Sequence, residues 1–246
     1  MTAVPSTIPD LTLRLEQCGS QTVGSSLRLI GLVRLKHIVR VIEALDLEAN
    51  PRDSRIGTIT DAIKDTLEKT PELFPVKSKG ILMAASQFSE LDRNRYELTF
   101  VNRRAEGIMD GGHNLLAIGT FILERALDDA DALKQLRKCK IWSDFKLLFM
   151  EHIDEVKAYI ADPDSAEEVN TLVPLELIVP KSIDPLDLEG FNSALLEIQE
   201  ARNNNAQLRQ ETKTNAAGLY DSLRECMPEP LRERIEWKAN EGGDLR

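Results

Sequence analysis

The sequence has little cysteine, no long apolar run and no basic leader, and each shortage removes a class of protein. Three cysteines, Cys18, Cys139 and Cys226, stand far apart and are odd in number. That argues against a disulfide framework and against a zinc site, and a reducing, cytoplasmic setting is the expectation. The longest apolar stretches, such as Leu115 to Leu123 and Leu172 to Pro180, fall well short of the ~20 residues of a membrane span. Met1-Thr2-Ala3-Val4-Pro5 lacks the charged start and apolar core of an export signal. Neither Gly-x-x-x-x-Gly-Lys-Ser/Thr nor Gly-x-Gly-x-x-Gly occurs, and no metal-nuclease carboxylate cluster is evident. An ordinary P-loop ATPase and a Rossmann dehydrogenase are therefore set aside.

Net positive charge is also missing. The formal net charge is −10, which opposes broad binding along nucleic acid, because that affinity comes from neutralising many phosphates with Lys and Arg. The charge is uneven, however. No acidic residue falls between Glu16 and Glu43, while Arg28, Arg34, Lys36 and Arg40 all do, with His37 among them. Either this is the solvated side of an amphipathic helix whose apolar stripe is Leu35, Ile38, Val39, Ile42 and Leu45, or it is a surface facing DNA or a partner.

With 246 residues, 42% of them hydrophobic, the chain can bury one sizeable core or two small ones. Residues 11 to 15 read as a short strand, Gly19 to Ser26 as loosely structured, and about Leu32 to Leu45 as a helix. Asn50-Pro51-Arg52-Asp53 reads as a turn. Ile56, Ile59, Ile63 and Leu67 mark a helix with Thr58 and Asp61 at capping-box spacing. Strands are expected near 80–84, 96–101 and 175–179, all in one sheet, and helices over 143–160, 194–200 and 205–226. The fold class is then α+β, a mixed sheet with helices packed on it.

What is present in the middle of this pattern is Asp110-Gly111-Gly112-His113-Asn114, a polar turn between a strand-like approach and the helical face Leu115, Ile118 and Ile122. Paired glycines remove the Cβ atoms that keep a ligand off the main chain, and the first N–H groups of a helix carry partial positive charge, so phosphate is the natural guest. A turn capped by Asn114 or Asp110, with no ligand, fits the same residues. Two further polar islands are Lys77-Ser78-Lys79-Gly80 and Glu200-Ala201-Arg202-Asn203-Asn204-Asn205.

The order of these islands resembles the abortive infection phage resistance (AIPR) family. The match runs through Asn50-Pro51-Arg52, then Phe74 with Lys77-Ser78-Lys79-Gly80-Ile81, then Gly107 to Asn114, then Ala201-Arg202-Asn203-Asn204, and last Ile235-Glu236-Trp237-Lys238-Ala239-Asn240-Glu241. It implies an N-terminal segment over 1–46 carrying the basic helix and a family core over 47–246. Ser78 stands where the family usually has Asn, and Asn114 where it usually has Thr. The family continues past the Trp-Lys-x-Asn-Glu stretch, so a chain truncated at its C-terminus is the expectation. The Asp-Gly-x-His signature is similar, more remotely, to the ParB/sulfiredoxin group and to the DGQHR domain of DndB proteins. That likeness implies a ParB/sulfiredoxin-like core and a phosphate cradle. Sulfinic-acid reduction does not carry over, because no cysteine stands in the loop.

The resemblances imply a nucleotide- or phosphate-binding protein of anti-phage defence. Arg52, Lys79, Gly80, Gly111, Gly112, Asn114, Arg202 and Asn203 would hold the phosphate; His113 would move a proton, and Asp110 would orient it or hold Mg²⁺. Arg52, Lys79, His113 and Arg202 are then expected to converge, and Gly111→Val to abolish binding with the fold largely kept. The implied cofactor is a nucleoside triphosphate with Mg²⁺, the implied activity an NTPase, and the implied partner a second copy or another defence protein. Two rivals stand beside it. One is a DNA-binding or nuclease-associated regulator using Arg28, Arg34, Lys36 and Arg40, and the other a non-catalytic interaction module.

Overall fold

Alternation of apolar and open positions from Ser26 onward builds a nine-residue strand. Leu29 and Val33 are buried, while Ile30 between them is exposed. The computed structural model describes residues 10–50, 54–202 and 227–228. In chain order the elements are β1 (Leu11–Arg14), β2 (Gly19–Val23), β3 (Ser26–Arg34), α1 (Leu35–Ala44), α2 (Thr58–Lys69), α3 (Phe74–Lys77), β4 (Ile81–Ala84), β5 (Gln87–Leu91), β6 (Arg95–Thr99) and β7 (Gly107–Asp110). They continue as α4 (Gly112–Ala126), α5 (Ala130–Lys138), α6 (Trp142–Glu151), α7 (Ile153–Ala161), α8 (Ala166–Val169), β8 (Leu172–Pro180) and α9 (Pro185–Arg202). The expected α+β class is observed. No helix of the described residues is long and apolar enough to cross a membrane.

A five-stranded mixed sheet, ordered β2-β3-β8-β4-β7, forms the centre. β3 runs antiparallel to β8 from Ser26↔Pro180 to Arg34↔Leu172, and β4 runs parallel to β8 from Ile81↔Leu175 to Ala84↔Ile178. Every residue of β4 is buried, because both sheet faces are covered there, and this is why the strand reads as an unbroken apolar run. On one face Ile81, Met83, Ile108, Leu175 and Leu177 join the main core with residues of α1, α4 and α6. On the other, Leu82, Ala84, Met109 and Ile178 meet Phe191 and Leu195 of α9.

The structure departs from the sequence expectations at four places. The 96–101 strand is not in the central sheet: β6 is the middle of a separate three-stranded sheet, β1-β6-β5, paired antiparallel on both sides. One neighbour is local, since β5 turns back into it through Arg93 and Asn94, both at positive φ (63° and 53°), the geometry of a tight hairpin. Gly19 to Ser26 is not loose, because β2 and β3 form a hairpin there. The helix expected from Leu32 starts at Leu35, where the Leu35 N–H donates to Thr171 O at 2.8 Å. The 143–160 helix divides at His152 into α6 and α7. Residues 10–46 supply strands to both sheets and α1 to the core. The helix expected over 205–226 lies outside the described residues.

Candidate functional site

The glycine turn stands where β7 leaves the edge of the central sheet and α4 begins. Asp110 ends β7, and its Oδ1 accepts from the Gly111 N–H at 2.7 Å. Gly111 sits at φ +88°, in the left-handed region where a Cβ is unfavourable. Its carbonyl accepts from the Leu115 N–H at 2.9 Å, which starts α4 at Gly112. Gly111, the residue before α4, has no side chain with which to cap that terminus.

Two parts of the chain close around the turn. A Cβ on Gly111 would run into Gly80 O and come within 2.9 Å of Ile81 Cα. One on Gly112 would strike Ser54 Oγ and come within 2.8 Å of Asn50 Nδ2. Both Asn50 and Ser54 are buried. Gly80 belongs to the Ser78–Gly80 approach to β4, which is also bound to α4. Asn114 Nδ2 donates to Gly80 O at 2.8 Å, Ser78 Oγ donates to Asn114 Oδ1 at 3.1 Å, and the Gly80 N–H donates to Ser78 Oγ at 3.0 Å. From the other side of the sheet, Gln199 Nε2 near the end of α9 donates to Ala49 O at 2.8 Å.

These contacts revise the reason for the glycines. The volume that a Cβ of Gly111 or Gly112 would take is filled by the chain itself, so both residues serve close packing of the turn on Gly80, Asn50 and Ser54. Gly80, at φ +77°, is held likewise against Pro174. Both ends of the Asn114 amide are engaged with Ser78 and Gly80, which makes Asn114 a clamp between α4 and β4.

Of the expected site residues, Asp110, Gly111, Gly112, His113, Asn114 and Gly80 meet at this point, with His113 half-buried in the first turn of α4 and Lys79 exposed beside Gly80. Arg52 and Asn203 lie outside the described residues, and Arg202 is placed as the last residue of α9. Ser54 and Gln199 were not legible as site residues. Their only signal is proximity to the Asn-Pro-Arg and Arg-Asn-Asn islands.

The basic set is not a helix face. Arg28 and Arg34 belong to β3, and Lys36 and Arg40 to α1. Arg28 Nε pairs with Glu176 Oε1 at 2.5 Å. Arg34 Nε pairs with Glu16 Oε1 at 2.9 Å, and its Nη1 donates to Asn170 Oδ1 at 3.0 Å. The Arg34 guanidinium holds the Glu16 carboxyl below its ordinary range. Burial, followed by Lys36 and Arg40, pushes the His37 imidazole below its usual value.

A separate open cleft of about 570 Å³ lies between α2, α4 and α5, about two turns down α4 from the glycine turn. Lys64 and Glu124, paired at 2.5 Å, line it with Thr60, Thr120 and Cys139. Burial raises the Cys139 thiol above its usual pKa, the reverse of what a thiolate nucleophile needs. Comparisons with family profiles, curated proteins and solved structures found no match to this chain.

Proposed function

We propose that this chain binds a phosphate-bearing ligand at the N-terminus of α4, with a nucleoside triphosphate and Mg²⁺ as the class the ParB/sulfiredoxin likeness implies, in the anti-phage defence role that the AIPR resemblance implies. One observation carries the reading. Polar islands far apart in sequence, Asn50, Ser78–Gly80 and Asp110–Asn114, gather around a single helix terminus, and Gln199 of α9 bonds Ala49 beside Asn50. That terminus offers backbone N–H groups and a positive dipole end to an anion.

Because the glycine Cβ volumes are filled from within, the ligand approaches from the solvent side of the first α4 turn, where His113 and Lys79 stand. Lys79 supplies point charge, and Arg52 and Arg202 are the further cations of the same islands. Asp110 gives the turn one carboxylate, the number Mg²⁺ commonly takes when substrate phosphates complete its shell. If a bond is broken, the His113 imidazole is the group that would carry the proton. The DNA-reading alternative is weaker here, since two of its four cations are already paired with Glu176 and Glu16.

Thermal shifts with ATP, CTP, GTP and UTP, each with and without Mg²⁺, test the reading. A ligand that binds only the folded state at a hundred times its Kd stabilises by about 2.7 kcal/mol. The expected result is a rise with at least one triphosphate that shrinks in Lys79→Ala and His113→Ala. No rise with any of them, or equal rises in all three proteins, overturns it and leaves the interaction-module reading ahead.

A further inference from the structure

β2 is an edge strand without the usual protection of an edge. All five of its residues are exposed, and no described strand pairs with its outer side. Exposed edges are normally blunted by charge, proline or a bulge, because their free N–H and C=O groups are a template for another chain. Residues 17 to 26 contain no charged residue and no proline, and the β2–β3 register from Gly19↔Ile30 to Val23↔Ser26 runs without a shift. In a chain of net charge −10, this strand can meet its own copy without opposing like charges.

The side chains on one face of the strand also fit that occupant. Val23 and Ile30 are 56% and 44% exposed, and Gly19, which stands opposite Ile30, has nothing within 4 Å of the position a Cβ would take. We propose that β2 is the seam of a homodimer, two copies pairing antiparallel about a two-fold axis at Gln21 and normal to the sheet. That register sets Gly19 of one copy opposite Val23 of the other, and Ser20 opposite Thr22. Opposite residues share a sheet face, so each row reads Ile30, Gly19, then Val23 and Ser26 of the second copy. The missing Gly19 side chain leaves the gap across which Ile30 meets the second copy's Val23. The two central sheets join into one ten-stranded sheet, held by main-chain hydrogen bonds and two apolar Val23–Ile30 contacts.

Sedimentation equilibrium of the full chain over a wide concentration range tests the seam, with Gln21→Lys and Val23→Lys as variants. Gln21→Lys sets two ammonium groups face to face at the axis, and Val23→Lys removes the apolar row. Both positions are exposed, and circular dichroism checks that each variant is folded. The expected result is a dimer for wild type and half that mass for both variants, with an Ile183→Lys control, at another exposed apolar residue, still dimeric. Amide exchange in residues 19–23 should be slow in the wild-type dimer and fast in the variants. A wild-type monomer at every concentration overturns the proposal, including the case in which another segment of the same chain covers β2. A dimer that persists in both lysine variants overturns it as well.

Discussion

Asn114→Ala should cost this protein more than any surface change, because the Asn114 amide ties α4 to the entrance of β4. The side chain is buried, donates to Gly80 O and accepts from Ser78 Oγ. Two such bonds contribute about 0.5–1.5 kcal/mol each, and a buried carbonyl left without a donor costs about 1–3 kcal/mol more. Against this, alanine is the better helix former by about half a kcal/mol. The loss therefore wins by about 1.5–5.5 kcal/mol, which for a chain of this length lowers Tm by roughly 3–20 °C. Ser78→Ala, at a half-buried hydroxyl that also accepts from the Gly80 N–H, should cost about 1 kcal/mol. Urea and thermal denaturation of both variants and the double mutant give the numbers. If Asn114→Ala falls within about 0.5 kcal/mol of wild type, the range of an indifferent surface site, the clamp does not hold the turn.

Three other outcomes follow from contacts already described. Gly111→Val should destabilise strongly, by about 2–5 kcal/mol from left-handed backbone strain and the collision with Gly80 O, rather than leave the fold intact; retention of the wild-type melting temperature would contradict the packing. Glu106, buried in the turn between β6 and β7, accepts from the N–H groups of Ser86, Val101 and Asn102 at 2.8, 3.1 and 3.1 Å, so Glu106→Gln, which puts an amide donor among donors, should lower stability by about 1–3 kcal/mol in a urea melt. His37 is held neutral in the folded state by burial and then by Lys36 and Arg40, so its folded pKa lies below the ordinary 6.5. Above 6.5 neither state is protonated and the full stability is present. As pH falls below it the unfolded chain takes up the proton first and stability drops until the folded pKa is passed. Denaturation at pH 7 and pH 5 should show a smaller loss in His37→Gln than in wild type.

Secondary structure was legible wherever one periodicity acted alone. The 80–84 and 175–179 runs became β4 and β8, buried on both faces, and the alternation at Tyr96, Leu98 and Phe100 became the two-faced strand β6. Sheet membership was not legible, because alternation tells which face of a strand is wet but not which strand lies beside it. β6 takes its partners from the adjacent hairpin and from β1, some eighty residues earlier. The helix start at Leu35 was hidden because Leu32 and Val33 serve a strand and Leu35 and Ile38 a helix without a break between them. The basic set was misjudged for a related reason: its counter-charge Glu176 is distant in sequence and visible only once β3 lies against β8.

The glycine turn shows how far a motif can be read and where it stops. Gly-Gly before a helix says that something approaches the main chain closely, and a ligand and another segment of the same chain make that demand equally. Here the approaching groups are Gly80 O, Ser54 and Asn50. The same close packing brings Asn50, Ser54 and Ser78–Gly80 to the α4 terminus, so a role in folding and a role in binding are not exclusive. They do separate by experiment. Glycine substitutions report on the packing, whereas the exposed Lys79 and the half-buried His113 report on the anion. A nucleotide effect that vanished in Gly111→Val but survived in Lys79→Ala and His113→Ala would trace to a damaged fold, and the α4 terminus would have no claim to the phosphate.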